Sequence, residues 1–329
     1  MSQSQPRVSI CTPTFNRRPF FKGLIDVVMN QTYPKTLMEW IIIDDGTDKI
    51  GDLVSHIPFV KYVPVDKKMP LGEKRNFMHD QCTFKEDDAI LVYIDDDDFY
   101  PPQRVAHSVE KLTNSNALCA GSSEVYLWYN EMNKMYKFGP YGDNHATAGT
   151  FAFKRSLLKI TRYEDGAQLA EEKFFLKDYT IPFVQLDPFK TILVFSHEQN
   201  TFDKRRLIDP ANPNCKESVI KVKTFVKSKE LQKFYTTELP LLLKEYLPGD
   251  IKNKPDVLLE IKRRDESKKQ MDSQMITITT NENKTFRVNP RELLDALKHK
   301  TEECLSLREE LDKSKEYIKL LIENIKKRG

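Results

Sequence analysis

Apolar positions along the first 120 residues alternate between two periods. Near-continuous apolar runs at RVSICT, EWIII and DAILVYI predict buried strands, and KYVPV predicts a weaker one. Between them, Phe20, Phe21, Leu24, Ile25 and Val28 recur at helical spacing after the loop PTFNRRP, with Pro19 suited to the first helical turn. GEKRNFMHDQC and PPQRVAHSVEKL read as two further helices. Buried strands that alternate with amphipathic helices predict an α/β fold with a mainly parallel sheet flanked by helices. In such sheets ligands collect beyond the carboxyl ends of the strands.

From about residue 121 the pattern changes. VYLWYNEMNKMYKFG reads as a hairpin, AGTFAF and KTILVFSH as strands, and RSLLKI and LAEEKFFLKDY as helices. Residues 216 to 247 read as helical, limited by Pro240 and Pro248. KNKPDVLLEIKRRDESKKQMDSQ is a charge-rich linker, in part helical, and MITITTNENKTFRV a small hairpin around Asn-Glu-Asn. In the tail, Leu293, Leu297, Cys304, Leu307, Leu311, Ile318, Leu321 and Ile325 follow a 4-3 repeat interrupted by Lys300 and Ser314. That repeat predicts a coiled coil and offers a seam for a homo-oligomer; an amphipathic helix folded back on the globular body would show the same pattern. The expected organisation is therefore a catalytic-type domain over 1–215, a helical extension or linker over 216–270, and a hairpin plus coiled-coil helix over 271–329.

Composition removes several classes. The balance of 52 basic against 49 acidic residues offers no field for nucleic acid. No apolar run approaches the roughly 20 residues that span a bilayer, and MSQSQPRVSI lacks a signal-peptide pattern. The five cysteines are scattered without a CxxC pair, so reduced thiols are expected rather than structural zinc. These features point to a cytoplasmic protein; the Lys-rich tail is the one feature that would let it sit at a membrane surface.

The chemistry concentrates at strand ends. LVYIDDDDFYPP places Asp95, Asp96, Asp97 and Asp98 directly after a buried strand. Such a cluster is either a solvated acidic turn or a site for a hard divalent cation, Mn²⁺ or Mg²⁺, which takes oxygen ligands and substrate phosphates. An EF-hand does not fit, because Tyr100 stands where that loop requires glycine. Asp44-Asp45-Gly46-Thr47 ends another strand, as turn caps or as acceptors for a base or ribose. Gly72 with Arg75 and Asn76 opens a helix whose N-terminus suits a diphosphate. Glu171-Glu172 starts a helix, as dipole-favoured acids or as a general base. His197 closes a strand, as a structural histidine or as a nitrogen ligand.

Taken together, these segments resemble the family 2 nucleotide-sugar glycosyltransferases of the GT-A fold. RVSICTPTFNRRPFFKGLIDVVMNQTYP with EWIIIDDGTD is similar to the family's opening strand, loop, helix and second strand, and YIDDDDFYPPQRV to its DxD segment. PLGEKRNFMHDQC, AGTFAFKRSLL, LAEEKFFLKDY and SHEQNT resemble later segments in the same order, so that the likeness spans about residues 7 to 202. The resemblance implies a metal-dependent, inverting transfer of a sugar from a nucleoside-diphosphate sugar, by default a UDP-sugar, to a hydroxyl of a glycan, lipid or protein. It implies Asp97 as main metal ligand, with Asp95 or Asp96 on ribose or metal and His197 completing the metal site. Thr12, Pro13 and Asp45 would line the base pocket, with Asp44 shaping the turn and Asn16, Arg75 and Asn76 beside the nucleotide. Glu172 would be the base, with Glu171 as the alternative. The family commonly has Glu-Asp where this chain has Glu-Glu, and the quartet carries an extra middle aspartate. Two other readings share these acids: a phosphohydrolase with an aspartate nucleophile, and an assembly protein with a degenerate transferase domain.

Overall fold

The computed structural model describes residues 5–168, 172–201, 203–209, 212–279 and 285–326. The chain forms two compact units, Met1–Glu260 and Ile261–Gly329. In the first, β1 (Val8–Thr14), α1 (Phe21–Met29), β2 (Met38–Asp44), α2 (Gly51–Val54), β3 (Val60–Pro64), α3 (Leu71–Gln81), β4 (Ile90–Tyr93) and α4 (Arg104–Thr113) alternate as the apolar pattern predicts. The strands β5 (Cys119–Gly121), β6 (Val125–Tyr129), β7 (Lys134–Phe138) and β8 (Ala152–Lys154) follow. Next come α5 (Glu172–Phe175), β9 (Phe183–Gln185), β10 (Leu193–Ser196), β11 (Cys215–Ser218), α6 (Val222–Phe225), α7 (Lys229–Lys233) and α8 (Leu239–Glu245).

The main sheet has the order β3-β2-β1-β4-β8-β5-β9. β3, β2, β1 and β4 run parallel, while β8 runs antiparallel to both β4 and β5. All seven residues of β2 are buried, as expected of a strand covered on both faces. Its side chains alternate between two cores: Trp40 and Ile42 pack on one face, Ile41 and Ile43 on the other. Register then fixes the site edge. Thr14 pairs with Asp44 and Cys11 with Tyr93, so the loops after β1, β2 and β4 leave the sheet side by side. A second sheet, β10-β6-β7-β11, flanks this edge.

Residues 216 to 247 depart from the expected helix. β11 pairs antiparallel with β7, and the helical stretch that follows is broken by a π-turn over Phe234–Glu238. Pro240 supplies the reason, since it has no N–H to give the Thr236 carbonyl one turn back. The wide turn lets the consecutive Phe234 and Tyr235 both be buried in the core. RSLLKI is a 3₁₀ turn, Arg155–Lys159. The LAEEKFFLKDY helix is short among the described residues, because Lys177, Asp178 and Tyr179 take left-handed φ values of 48°, 54° and 63°.

α9 (Pro255–Gln274) carries the boundary between the units. In the second unit β12 (Ile276–Thr279) pairs antiparallel with β13 (Thr285–Val288), and α10 (Pro290–Lys326) is one continuous helix. The expected hairpin tip lies outside the described residues. Among the described residues no helix is long and apolar enough to cross a membrane.

Candidate active site

A cleft of about 580 Å³ opens at the carboxyl edge of β1 and β4. Its polar half is built on the turn after β4. The Asp95 N–H donates to Tyr100 Oη at 2.9 Å, and the Tyr100 hydroxyl donates to the Gly149 carbonyl at 3.1 Å. The quartet is thereby tied to the turn before β8. Arg104 of α4 braces the same turn from below, donating to the carbonyls of Thr150 and Phe151 at 2.7 and 2.8 Å.

Four like charges in a row need compensation, and each aspartate has a cation at hand. Arg75 lies 3.8 Å from Asp95, Arg17 3.7 Å from Asp96 and 4.0 Å from Asp97, and Lys204 3.7 Å from Asp98. Burial, together with the neighbouring carboxylates, pushes Asp96 and Asp98 up to about 7. Burial acts on Asp97 in the same direction, but Lys204, His197 and Arg17 hold it well below the usual carboxylate range. Asp98 is spent on structure, accepting from the Phe195 N–H at 3.0 Å. Asp95 and Asp97 thus face the cleft as carboxylates of different partnership.

His197 follows β10 and puts Nε2 3.2 Å from Asp97 Oδ2, while Asn200 Nδ2 donates to that nitrogen at 2.7 Å. Burial lowers His197 to about 4. A neutral imidazole whose Nε2 accepts a hydrogen bond from Asn200 sets two electron-pair donors, Nε2 and Oδ2, side by side, which is chemistry a divalent cation fits. Asp95, the expected third member, faces Arg75 instead. Among the described residues no three His, Cys, Asp or Glu side chains converge on one metal position.

Glu172 opens α5 and lines the cleft, its Oε1 accepting from the Ala148 N–H at 3.2 Å. Glu171 lies outside the described residues. Pro13 lines the cleft, but Thr12 does not: it donates to the Ile94 carbonyl at 2.6 Å and accepts from Trp40 Nε1 at 2.9 Å, inside the sheet core. Asn16, Asp44 and Asn76 are likewise consumed by the scaffold. Asn16 Oδ1 accepts from the N–H groups of Thr47 and Asp48, and Asp44 from those of Gly46 and Ile50 and from Tyr62 Oη. Asn76 clamps the strap 162–168 through both the N–H and the carbonyl of Tyr163. Asp45 is buried, accepts from the Met69 N–H at 2.7 Å and pairs with Lys74, and Lys74 in turn lines the cleft.

Residues 9–162 match the family described as Glycosyl transferase family 2. Over that stretch the chain is similar in sequence to family 2 glycosyltransferases. Comparison with curated proteins gives no match. Among solved structures, S. aureus TarS 1-349 aligns at 16% identity with a TM-score of 0.46, over 58% of this chain and 60% of that one. The same protein in complex with UDP aligns at 15% identity and a TM-score of 0.48, over 86% and 96%. The mannosyltransferase PcManGT from Pyrobaculum calidifontis, in complex with GDP-Man and Mn²⁺, aligns at 16% identity and a TM-score of 0.46, over 75% and 74%. In the first of these alignments this chain spans about three fifths of the TarS 1-349 length.

Several cleft residues escaped the sequence reading. Arg17 and Asn200 sit inside quoted segments, PTFNRRP and SHEQNT, yet only the fold aims them at the quartet. Lys204 and Lys254 lie beyond the matched residues. Lys254 is 5% exposed, and its Nζ donates to Thr201 Oγ1 at 3.3 Å. Burial and the nearby Arg17 push it down to about 7. With Lys68 and Lys74 it surrounds the Phe15 ring, at 5.4, 5.9 and 5.8 Å for Lys68, Lys74 and Lys254. No local pattern marks it, since it stands in a charge-rich stretch, KNKP, that reads as linker. Across the cleft, Val125, Leu127, Phe138, Ile192 and Val194 of the second-sheet region form an apolar wall.

Proposed function

We propose that this chain transfers a sugar from a nucleoside-diphosphate sugar, a UDP-sugar being the first to test, to a hydroxyl acceptor on a glycan, lipid or protein. The observation that carries this reading is the gathering of Asp95, Asp97, Arg75 and Glu172 in one cleft at the carboxyl edge of a parallel sheet, with His197 against Asp97. Asp97 and His197 would hold Mn²⁺ or Mg²⁺, with Asp95 and Asp96 toward ribose or metal. Bound there, the cation would offset the charge of the departing diphosphate.

Arg75, Lys74 and Lys254 supply donors for the phosphate oxygens, and Pro13 and Asp45 border the base side. Glu172 accepts the proton of the acceptor hydroxyl as that oxygen bonds to the anomeric carbon from the face opposite the diphosphate. The bond from anomeric carbon to phosphate oxygen breaks with its electron pair on the diphosphate, so a single displacement inverts the configuration. The Ala148 N–H fixes the Glu172 carboxylate for that task. Asp97 is then no nucleophile, which separates this reading from a phosphohydrolase.

The deciding experiment is release of nucleoside diphosphate from a panel of nucleotide-sugars with Mn²⁺. Release abolished by EDTA and by Asp97→Asn supports the transferase. Glu172→Gln with full transfer would remove the assigned base. Absence of nucleotide-sugar binding in a thermal-shift screen would favour the assembly reading.

A further inference from the structure

The expectation of a coiled coil leaves its partner, direction and register open, and the charges beside the seam decide all three. α10 is continuous from Pro290 to Lys326, and its seam side chains Leu297, Leu307, Leu311, Ile318 and Leu321 are exposed, as is Cys304. Exposed leucines at this period need a cover, because about 25 cal/mol is lost for each Å² of apolar surface left in water. In heptad terms Leu297, Cys304, Leu311 and Ile318 take the first seam position (a), and Leu307 and Leu321 the other (d). Glu303 and Glu310 then occupy the flanking position before the first seam residue (g), and Arg308 and Lys315 the one after the second (e).

Two such helices running parallel and in register bring each g residue against the e residue five positions on in the other chain. Glu303 then meets the partner's Arg308, and Glu310 meets the partner's Lys315. Antiparallel pairing sets glutamate against glutamate and arginine or lysine against its like. A one-heptad slip halves these contacts, leaving one chain's Glu303 opposite the partner's Lys315 and the partner's Glu310 opposite Arg308. Lys300, the awkward seam residue, is already drawn aside by Glu303 of its own helix at 2.5 Å. We propose that α10 pairs with a second copy of this chain as a parallel, in-register, two-stranded coiled coil that sets Cys304 against the partner's Cys304. This inference stands apart from the transferase reading.

The test uses the full chain. Sedimentation under reducing conditions should give a dimer. Diamide should then link the two Cys304 thiols, which lose two protons and two electrons as the diazene is reduced to its hydrazine, giving a band at twice 38.5 kDa. Cys304→Ser should abolish the band and leave the dimer intact; Cys11, Cys82 and Cys119 are buried, and the half-buried Cys215 keeps its thiol in that variant, so a band that persists there overturns the assignment to Cys304. Reversing Glu303 and Glu310 to lysine should weaken the homodimer on the order of tenfold. Mixing that variant with Arg308→Glu/Lys315→Glu should restore dimers. A monomer or trimer by sedimentation overturns the proposal, as does a dimer that diamide fails to link at Cys304.

Discussion

Replacing Gly72 by alanine tests whether the first turn of α3 positions the strap that leads to Glu172. A Cβ at Gly72 falls on the Glu164 carbonyl oxygen, with Ala167 Cβ 3.3 Å away. Optimal carbon contacts lie at about 3.5–4 Å, so the strap must retreat by roughly 1–2 Å. Two backbone bonds hold it now: Gly72 N–H to the Ala167 carbonyl at 2.9 Å and Glu73 N–H to the Asp165 carbonyl at 3.2 Å. Overpacking of this kind costs about 1–3 kcal/mol, and each weakened bond adds about 0.5–1.5 kcal/mol. A loss near 3 kcal/mol is expected, which lowers Tm by about 6–12 °C for a unit of this size. Because Gln168 and Glu172 both line the cleft, a displacement of that size should also cut diphosphate release by about 100-fold. Gly166→Ala is the control within the same strap: nothing lies within 4 Å of its added Cβ. Denaturant midpoints and turnover of the two variants are compared directly. If Gly72→Ala matches Gly166→Ala within about 0.5 kcal/mol, the ordinary error of surface substitutions, the strap does not depend on that contact.

Lys254→Met should weaken nucleoside-diphosphate binding by about 10- to 100-fold in calorimetry, the worth of one hydrogen bond to a charged group; an affinity changed less than twofold would remove Lys254 from the donor site. Arg104→Met strips the Thr150 and Phe151 carbonyls of a buried donor and should cost about 2–4 kcal/mol by urea denaturation, a loss under about 0.5 kcal/mol contradicting the bracing role. His79 is fully buried, and burial with the nearby Arg162 and Arg75 holds its pKa well below the ordinary 6.5. Its folded pKa is depressed, so the stability it contributes is complete above pH 6.5 and falls as the medium is acidified below that value. The urea midpoint of the parent should therefore drop more steeply below pH 6.5 than that of His79→Gln, by up to about 1.4 kcal/mol per pH unit; parallel curves would refute it.

The fold of the first 120 residues was legible because burial on both faces of a parallel sheet leaves a signal in each segment by itself. EWIIID is apolar without a break from Trp40 to Ile43, and its place beside RVSICT follows from the alternation with helices. The site was legible only by position. Asp44 and Asp97 both follow strands, and nothing local distinguishes a carboxylate that accepts from Gly46, Ile50 and Tyr62 from one that faces a cleft. Thr12 reads as a pocket residue until Trp40 claims its oxygen. The cations that neutralise the quartet come from Arg17, Arg75 and Lys204, far apart in sequence, so no window of residues reveals them. The π-turn at Phe234 depends on a missing N–H at Pro240, which a count of apolar spacing does not register.

The contact between Asp97 and His197 joins residues 100 positions apart. During synthesis at about 5–20 residues per second, the aspartates leave the ribosome about 5–20 s before that histidine, and Lys204 and Lys254 follow later. A nascent chain therefore carries the quartet for seconds without the imidazole and the lysines that neutralise or complete it. The cleft gains Lys254 only when the segment beyond residue 250 has packed against it. On the proposed reading, the full set of phosphate donors exists only once residue 254 has been made and has packed into the first unit.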